Sequence, residues 1–220
     1  MQAGTWPNPP YADEYAVRCD AGRAIRLLIV PALFDEASKL RHFTVETMRV
    51  LDRAGIDTML PDLPGTNESL QALADQSLES WRAAIRAAAR HFGATHVLTM
   101  RGGALCSPSD RPTLCYAPTS GPKMLKALLR AQVVSDREAG RETTREGLLE
   151  VARSEGAVLA GFKLSAEMVN QLEKANTDKS ELSEIAQGEL GGPGLWLRAE
   201  PDHDAAQAEA LAKIVLERLA

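Results

Sequence analysis

Apolar residues run almost unbroken through residues 24–33, with Arg26 as the one charge, a pattern suited to a strand buried on both faces of a sheet. Residues 15–19 read as a shorter strand before it. Across 39–54, Phe43, Thr47, Val50, Leu51 and Ala54 fall on one helical stripe, and Gly55 follows where a C-cap belongs. The pattern then predicts a strand at 57–63 closed by Pro64-Gly65, and a helix at 77–92 whose Leu78, Trp81, Ile85 and Ala89 share a face. A strand at 96–100 runs directly into Arg101-Gly102-Gly103-Ala104-Leu105, the signature of a sharp strand-to-helix turn. Ser107-Pro108-Ser109-Asp110 limits any helix there to one or two turns, and a further strand at 113–117 stops at Pro118.

The character changes at Pro122. Met124, Leu125, Leu128, Leu129, Val133 and Val134 recur at helical spacing among Lys and Arg residues, and 143–154 forms a second amphipathic pattern. Residues 122–164 therefore read as a mostly helical insertion placed over the strand ends, with 156–164 strand-like. Ser165 is an N-cap for a helix over 166–175. The segment 177–194 is polar and Gly-rich and reads as mobile, 195–199 as a strand, 201–204 as a loop and 205–219 as a strong helix. The first residues, 1–14, with Pro7, Pro9 and Pro10, read as a loosely held arm. Alternating strands and helices predict an α/β fold, a doubly wound, mainly parallel sheet with helices on both faces, and the length of 220 residues favours one domain over 1–220.

Composition narrows the partners. Twenty-five basic against 30 acidic side chains give a formal net charge of −5, the wrong sign for a protein held mainly by charge to nucleic acid or an anionic membrane. There is no run of 18 apolar residues and no signal or transit pattern, which predicts a cytoplasmic protein without membrane insertion. Cys19, Cys106 and Cys115 lack C-x-x-C spacing and read as reduced thiols. No phosphate-cradle motif is present, and Gly188, Gly191, Gly192 and Gly194 do not open a helix. His42, His91, His96 and His203 lack zinc-ligand spacing, so neither a cofactor nor a metal is expected.

The segment 96–105 carries the chemistry. Its shape is that of a nucleophile elbow, in which small residues flank the central position because strand and helix backbones approach closely around a strained turn. The central position holds Arg101 where a serine would stand, and a guanidinium cannot attack a carbonyl. The bland alternative makes Arg101 an ion-paired structural residue at a strand end. Cys106 is most simply a core residue, although a thiol near a helix N-terminus can have a lowered pKa. Ser120 reads as turn chemistry.

Five stretches, at 31–41, 60–66, 100–105, 117–130 and 160–165, follow one another in an order that resembles the exosortase A system-associated hydrolases, an α/β-hydrolase-like family of bacteria; the likeness spans about 27–175. The resemblance implies an α/β-hydrolase-like sheet, a strand-end pattern F-x-E-x-x-K-x-R at Phe34, Glu36, Lys39 and Arg41, an arginine that often replaces the elbow serine, and a role linked to exopolysaccharide production and protein sorting. A shortened C-terminal end distinguishes this chain: one helix follows the strand predicted at 195–199, so either the acid loop or the last strand of a complete hydrolase sheet is missing. Pro201-Asp202-His203-Asp204 falls where a late acid or a triad histidine would lie, yet a histidine without a serine has no triad role and His203 also reads as a solvated loop residue. The candidate cleft comprises Leu33, Phe34, Glu36, Arg101, Gly102, Asp202 and His203, with Glu36 a partner for Arg101. Asp35 and Glu36 equally suit a helix N-terminus, and Lys39 and Arg41 a solvated face. Two functions follow: a non-catalytic relative binding a small anionic or acyl- or glycan-related ligand, or a protein partner, in that cleft; and, as the alternative, a hydrolase or acyl transferase with an altered or relocated catalytic set.

Overall fold

A computed structural model describes residues 1–9, 12–177 and 183–219. In chain order its strands are β1 (Gln2–Trp6), β2 (Glu14–Cys19), β3 (Arg26–Val30), β4 (Asp57–Pro61), β5 (His96–Met100), β6 (Thr113–Tyr116), β7 (Ala157–Leu159), β8 (Phe162–Leu164) and β9 (Ser183–Ile185). The helices are α1 (Asp35–Arg53), α2 (Leu78–His91), α3 (Gly121–Glu138), α4 (Arg145–Glu155), α5 (Ala166–Lys174), α6 (Gln187–Leu190) and α7 (Ala205–Leu219). The main sheet has the order β1-β2-β4-β3-β5-β6-β9. From β4 to β9 neighbouring strands are parallel, whereas β2 pairs antiparallel with both β1 and β4.

The apolar run explains the centre of this sheet. Alternate side chains of a strand leave opposite faces, so Leu27 and Ile29 pack on one side and Leu28 and Val30 on the other, all with zero exposure. On the first side lie Phe43, Met48 and Leu51 of α1 and Leu211 and Val215 of α7. On the second lie Trp81 and Ile85 of α2, Leu125 and Leu129 of α3, and Met168 and Leu172 of α5. The α2 N-terminus is capped by Ser77, whose hydroxyl accepts from Ser80 N at 3.1 Å while Ser80 returns the bond. Ser165 caps α5 as its position predicts, accepting from Met168 N at 3.0 Å.

Three expectations need correcting. The N-terminal arm contains β1, an edge strand that runs antiparallel to β2 and buries Trp6. Within the polar stretch 177–194, β9 completes the sheet edge beside β6 and α6 follows it, while residues 178–182 lie outside the described residues. Residues 195–199 make no strand: Leu195–Leu197 is a single 3-10 turn, and among the described residues no strand follows β9. The stretch 156–164 is strand-like as its pattern predicts, forming the two-stranded hairpin of β7 and β8 beside the main sheet. Smaller shifts concern ends: α1 begins at Asp35, four residues earlier than the stripe at 39–54, and β3 closes at Val30. No helix among the described residues is long and apolar enough to cross a membrane.

Candidate functional site

β5 ends at Met100, and the chain turns at once into a 3-10 segment, Arg101–Cys106. The turn is tight because Arg101 itself adopts φ 52°, a left-handed conformation that costs an L-residue about 1 kcal/mol or more. Close approach follows on both flanks. A Cβ on Gly103 would sit 2.4 Å from the Pro31 carbonyl oxygen, and one on Gly102 would sit 2.4 Å from Met124 Sδ. The Gly103 contact is with backbone and excludes a Cβ, whereas at Gly102 the Met124 side chain would have to move, and the backbone has the elbow geometry that the sequence pattern predicts.

The Arg101 side chain is held on every side. Its Nε donates to Glu36 Oε2 and its Nη2 to Glu36 Oε1, both at 3.0 Å, a two-bond fork onto the carboxylate. Nη1 donates to the Ala117 carbonyl at 2.6 Å, and the guanidinium carbon lies 3.9 Å from the centre of the Trp196 ring. Glu36 stands in the first turn of α1, where the helix dipole favours a carboxylate. The elbow arginine is therefore an ion-paired residue with its planar face covered. Trp196, which the sequence reading assigned to a strand, reaches Arg101 because residues 195–197 coil into a 3-10 turn instead; no local pattern announces that contact.

Above the strand ends opens a cavity of about 690 Å³, the size of a small-molecule site. Leu33, Phe34, Met124, Leu128, Trp196 and Leu197 supply much of its wall. Glu36 and Arg101 line it as a mutually neutralising pair; Lys39 does so bonded to Asp35 at 2.8 Å. Phe34 also has a positive φ, 57°, and its ring packs against Trp81 and Phe162 at centroid distances of 5.6 and 5.5 Å. It divides the large cavity from a second one of about 230 Å³ lined by Leu63, Gly65, Thr66 and Trp81.

Of the candidate cleft residues, Leu33, Phe34, Glu36 and Arg101 meet at the cavity, and Gly102 lies beside it against Met124. Asp202 and His203 do not join them. They occupy the exposed loop before α7, where Asp202 binds Arg198 and accepts from His203 N at 2.7 Å, which helps to hold its carboxyl below the usual range. The His203 ring stacks on His42 at 4.6 Å instead of facing the elbow. Asp35 and Glu36 do open α1; Arg41, read as a solvated cation, donates to buried Asp62 at 2.7 Å. Cys106 is not an activated thiol: complete burial pushes its pKa up to about 12. Ser120 precedes α3 without making a side-chain cap bond. Among the described residues no serine or cysteine side chain bonds a histidine ring, and no three His, Cys, Asp or Glu side chains converge as metal ligands would.

No protein-family model and no curated protein sequence matches this chain. Solved structures do resemble it. Alpha/beta hydrolase domain-containing protein 10 from mouse superposes with a TM-score of 0.61 at 11% identity, covering 100% of both chains. Est1E from Butyrivibrio proteoclasticus, solved with ferulic acid bound, gives 0.59 at 16% identity over 94% of this chain and 96% of its own. With its mainly parallel sheet, antiparallel β2, helices on both faces and a strand-elbow turn after β5, the molecule has the α/β-hydrolase fold.

Proposed function

We propose that this protein is a non-catalytic relative of the serine hydrolases which holds a ligand in the cavity above its elbow and serves a bacterial exosortase and exopolysaccharide system. The observation that carries the reading is the state of Arg101. The residue at the nucleophile position cannot form an acyl bond, and Glu36, the Ala117 carbonyl and Trp196 occupy its guanidinium. An elbow retained at the cost of backbone strain, around an arginine instead of a nucleophile, supports a scaffold kept for binding. The sequence likeness at 31–41, 60–66, 100–105, 117–130 and 160–165 supports the exosortase connection.

The purified protein should hydrolyse p-nitrophenyl acetate and butyrate no faster than an Arg101→Ala variant or buffer, and a fluorophosphonate should leave every serine unlabelled. Stoichiometric labelling of a serine would replace this reading with that of a hydrolase with a relocated nucleophile. Deleting the gene in its host should lower exopolysaccharide output, and an unchanged output would remove the exosortase link alone.

A further inference from the structure

The cavity does not end at the elbow. Lys123, Ala127 and Ala131 line both the large cavity and an adjoining open groove of about 530 Å³ that runs along the outer face of α3 past Lys126, Arg130 and Val134. Lys123, Ala127, Arg130 and Val134 stand three or four residues apart, and Lys126 stands three from Lys123 and four from Arg130, which places all five on one exposed side of the helix, opposite the buried Met124, Leu125, Leu128 and Leu129. The three cations, Lys123, Lys126 and Arg130, are exposed and make no salt bridge to any described residue. α3 carries no acidic residue before Asp136, Asp136 is taken by Arg141 at 2.5 Å, and the exposed Glu138 stands at the far end of the groove, about two turns beyond Arg130. In a chain of net charge −5 this is a local reversal of sign, extending about 10 Å along the helix from Lys123 to Arg130.

The charges inside the cavity are differently placed. Arg101 is forked onto Glu36, and Lys39 is bonded to Asp35, so an anion entering there would have to displace a carboxylate already in position. Lys123 is the cation on the cavity wall that carries no such partner among the described residues. Apolar depth and free positive charge therefore lie at opposite ends of one continuous space. The geometry points to an amphiphile with a single anionic head as the ligand: its apolar chain lies against Phe34, Leu128 and Trp196, and its head rests on Lys123, Lys126 and Arg130. This rests on the ligand-binding reading above and deepens it by assigning the class of ligand and the end at which its charge is read.

Calorimetric titration of the full-length protein with decanoate and with decan-1-ol at pH 8 tests the assignment. Decanoate should bind about tenfold more tightly than the alcohol, as expected for a few exposed charge contacts, and added salt should narrow the gap. Lys123→Glu/Lys126→Glu/Arg130→Glu changes exposed side chains and should invert the preference, so that decylammonium binds more tightly than decanoate, each read against decan-1-ol in the same protein. Equal affinity for decanoate and decan-1-ol in both proteins would overturn the head-group assignment and leave the cavity reading standing. A charge preference abolished by Arg101→Gln but not by the triple reversal would place the head at the elbow and also overturn it. If none of the three amphiphiles binds, the cavity reading itself fails. Cosedimentation with phosphatidylglycerol vesicles through the same cations, without binding of free decanoate, would make the stripe a membrane-surface contact and reject the amphiphile.

Discussion

Two ion clusters stand at opposite ends of the parallel strands. At the N-terminal ends, Asp57 is fully buried and accepts from Ala21 N at 3.0 Å, Arg23 N at 2.8 Å, Arg23 Nη1 at 3.2 Å and Arg26 Nη1 at 3.0 Å. Arg26 also holds Asp20, whose carboxyl is lowered chiefly by that bond, and donates to the Phe92 carbonyl at 2.8 Å. At the C-terminal end, Arg101 and Glu36 make an equally well-formed pair, with side-chain exposures of 13% and 22%. Pairing geometry does not tell the two apart. The elbow cluster differs in its surroundings: a positive φ at the arginine, a glycine at 103 that admits no Cβ, an aromatic ring over the guanidinium and a cavity beside it. A charged pair marks a site when strained backbone and open space accompany it, and is a structural clamp when they do not.

The contrast can be broken most forcefully at Asp57. Asp57→Ala leaves two arginines and two backbone N–H groups without their acceptor in a fully buried position, and should cost about 4 kcal/mol in urea unfolding. Arg101→Ala acts on a pair that keeps some contact with water, and its loss should be smaller, about 2 kcal/mol. Arg101→Ala combined with Glu36→Ala should recover part of that loss in a double-mutant cycle, and strictly additive losses would show that the pair is not coupled. Arg101→Gly should lose about 1 kcal/mol less than Arg101→Ala, since glycine relieves the left-handed strain at this position. Equal losses for the glycine and alanine variants would show that the elbow turn stores no strain.

A third carboxylate differs from both because it forms no salt bridge to any described residue. Glu14 is buried, bonded to Ser69 and Gln71, with one oxygen lacking a partner; burial raises its pKa, and the charge of Asp62 adds to the rise. The folded state therefore binds this proton more tightly than the unfolded chain. Its contribution to stability is present below the ordinary glutamate value and is lost as pH rises through the raised one. Glu14→Gln removes the charge, so its stability relative to wild type should improve as pH rises above the ordinary glutamate value and level off once the raised pKa is passed, as read in urea midpoints. A difference independent of pH would show that Glu14 is not desolvated in the folded state.

Legibility in the sequence followed burial. The segments that became β3, β4, β5 and α2 show their apolar pattern directly, because each packs within the core and its neighbours demand a fixed side-chain period. β1 and β9 carry almost no such pattern: β1 buries only Trp6, β9 only Ile185, and each is a strand because its backbone bonds to β2 or β6. The reading of 195–199 failed for a different reason: Leu195, Trp196 and Leu197 look like a strand but form a turn that buries Leu195, sets Trp196 against Tyr116 and leaves Leu197 exposed.

The candidate site divides along the same line. The elbow was legible from the buried strand running into two small residues, of which Gly103 admits no Cβ against the Pro31 backbone, and so was the lack of a serine at its centre. Pairing of Glu36 with Arg101 was a legible proposal that spacing alone left beside a bland alternative. The cover of Trp196 over the guanidinium, the bond to the Ala117 carbonyl, the remoteness of Asp202 and His203 and the union of the α3 stripe with the cavity were decided only by tertiary structure. Local period reports which face of an element is buried; which distant side chains share that burial depends on how the elements cross, and sequence spacing does not encode the crossing.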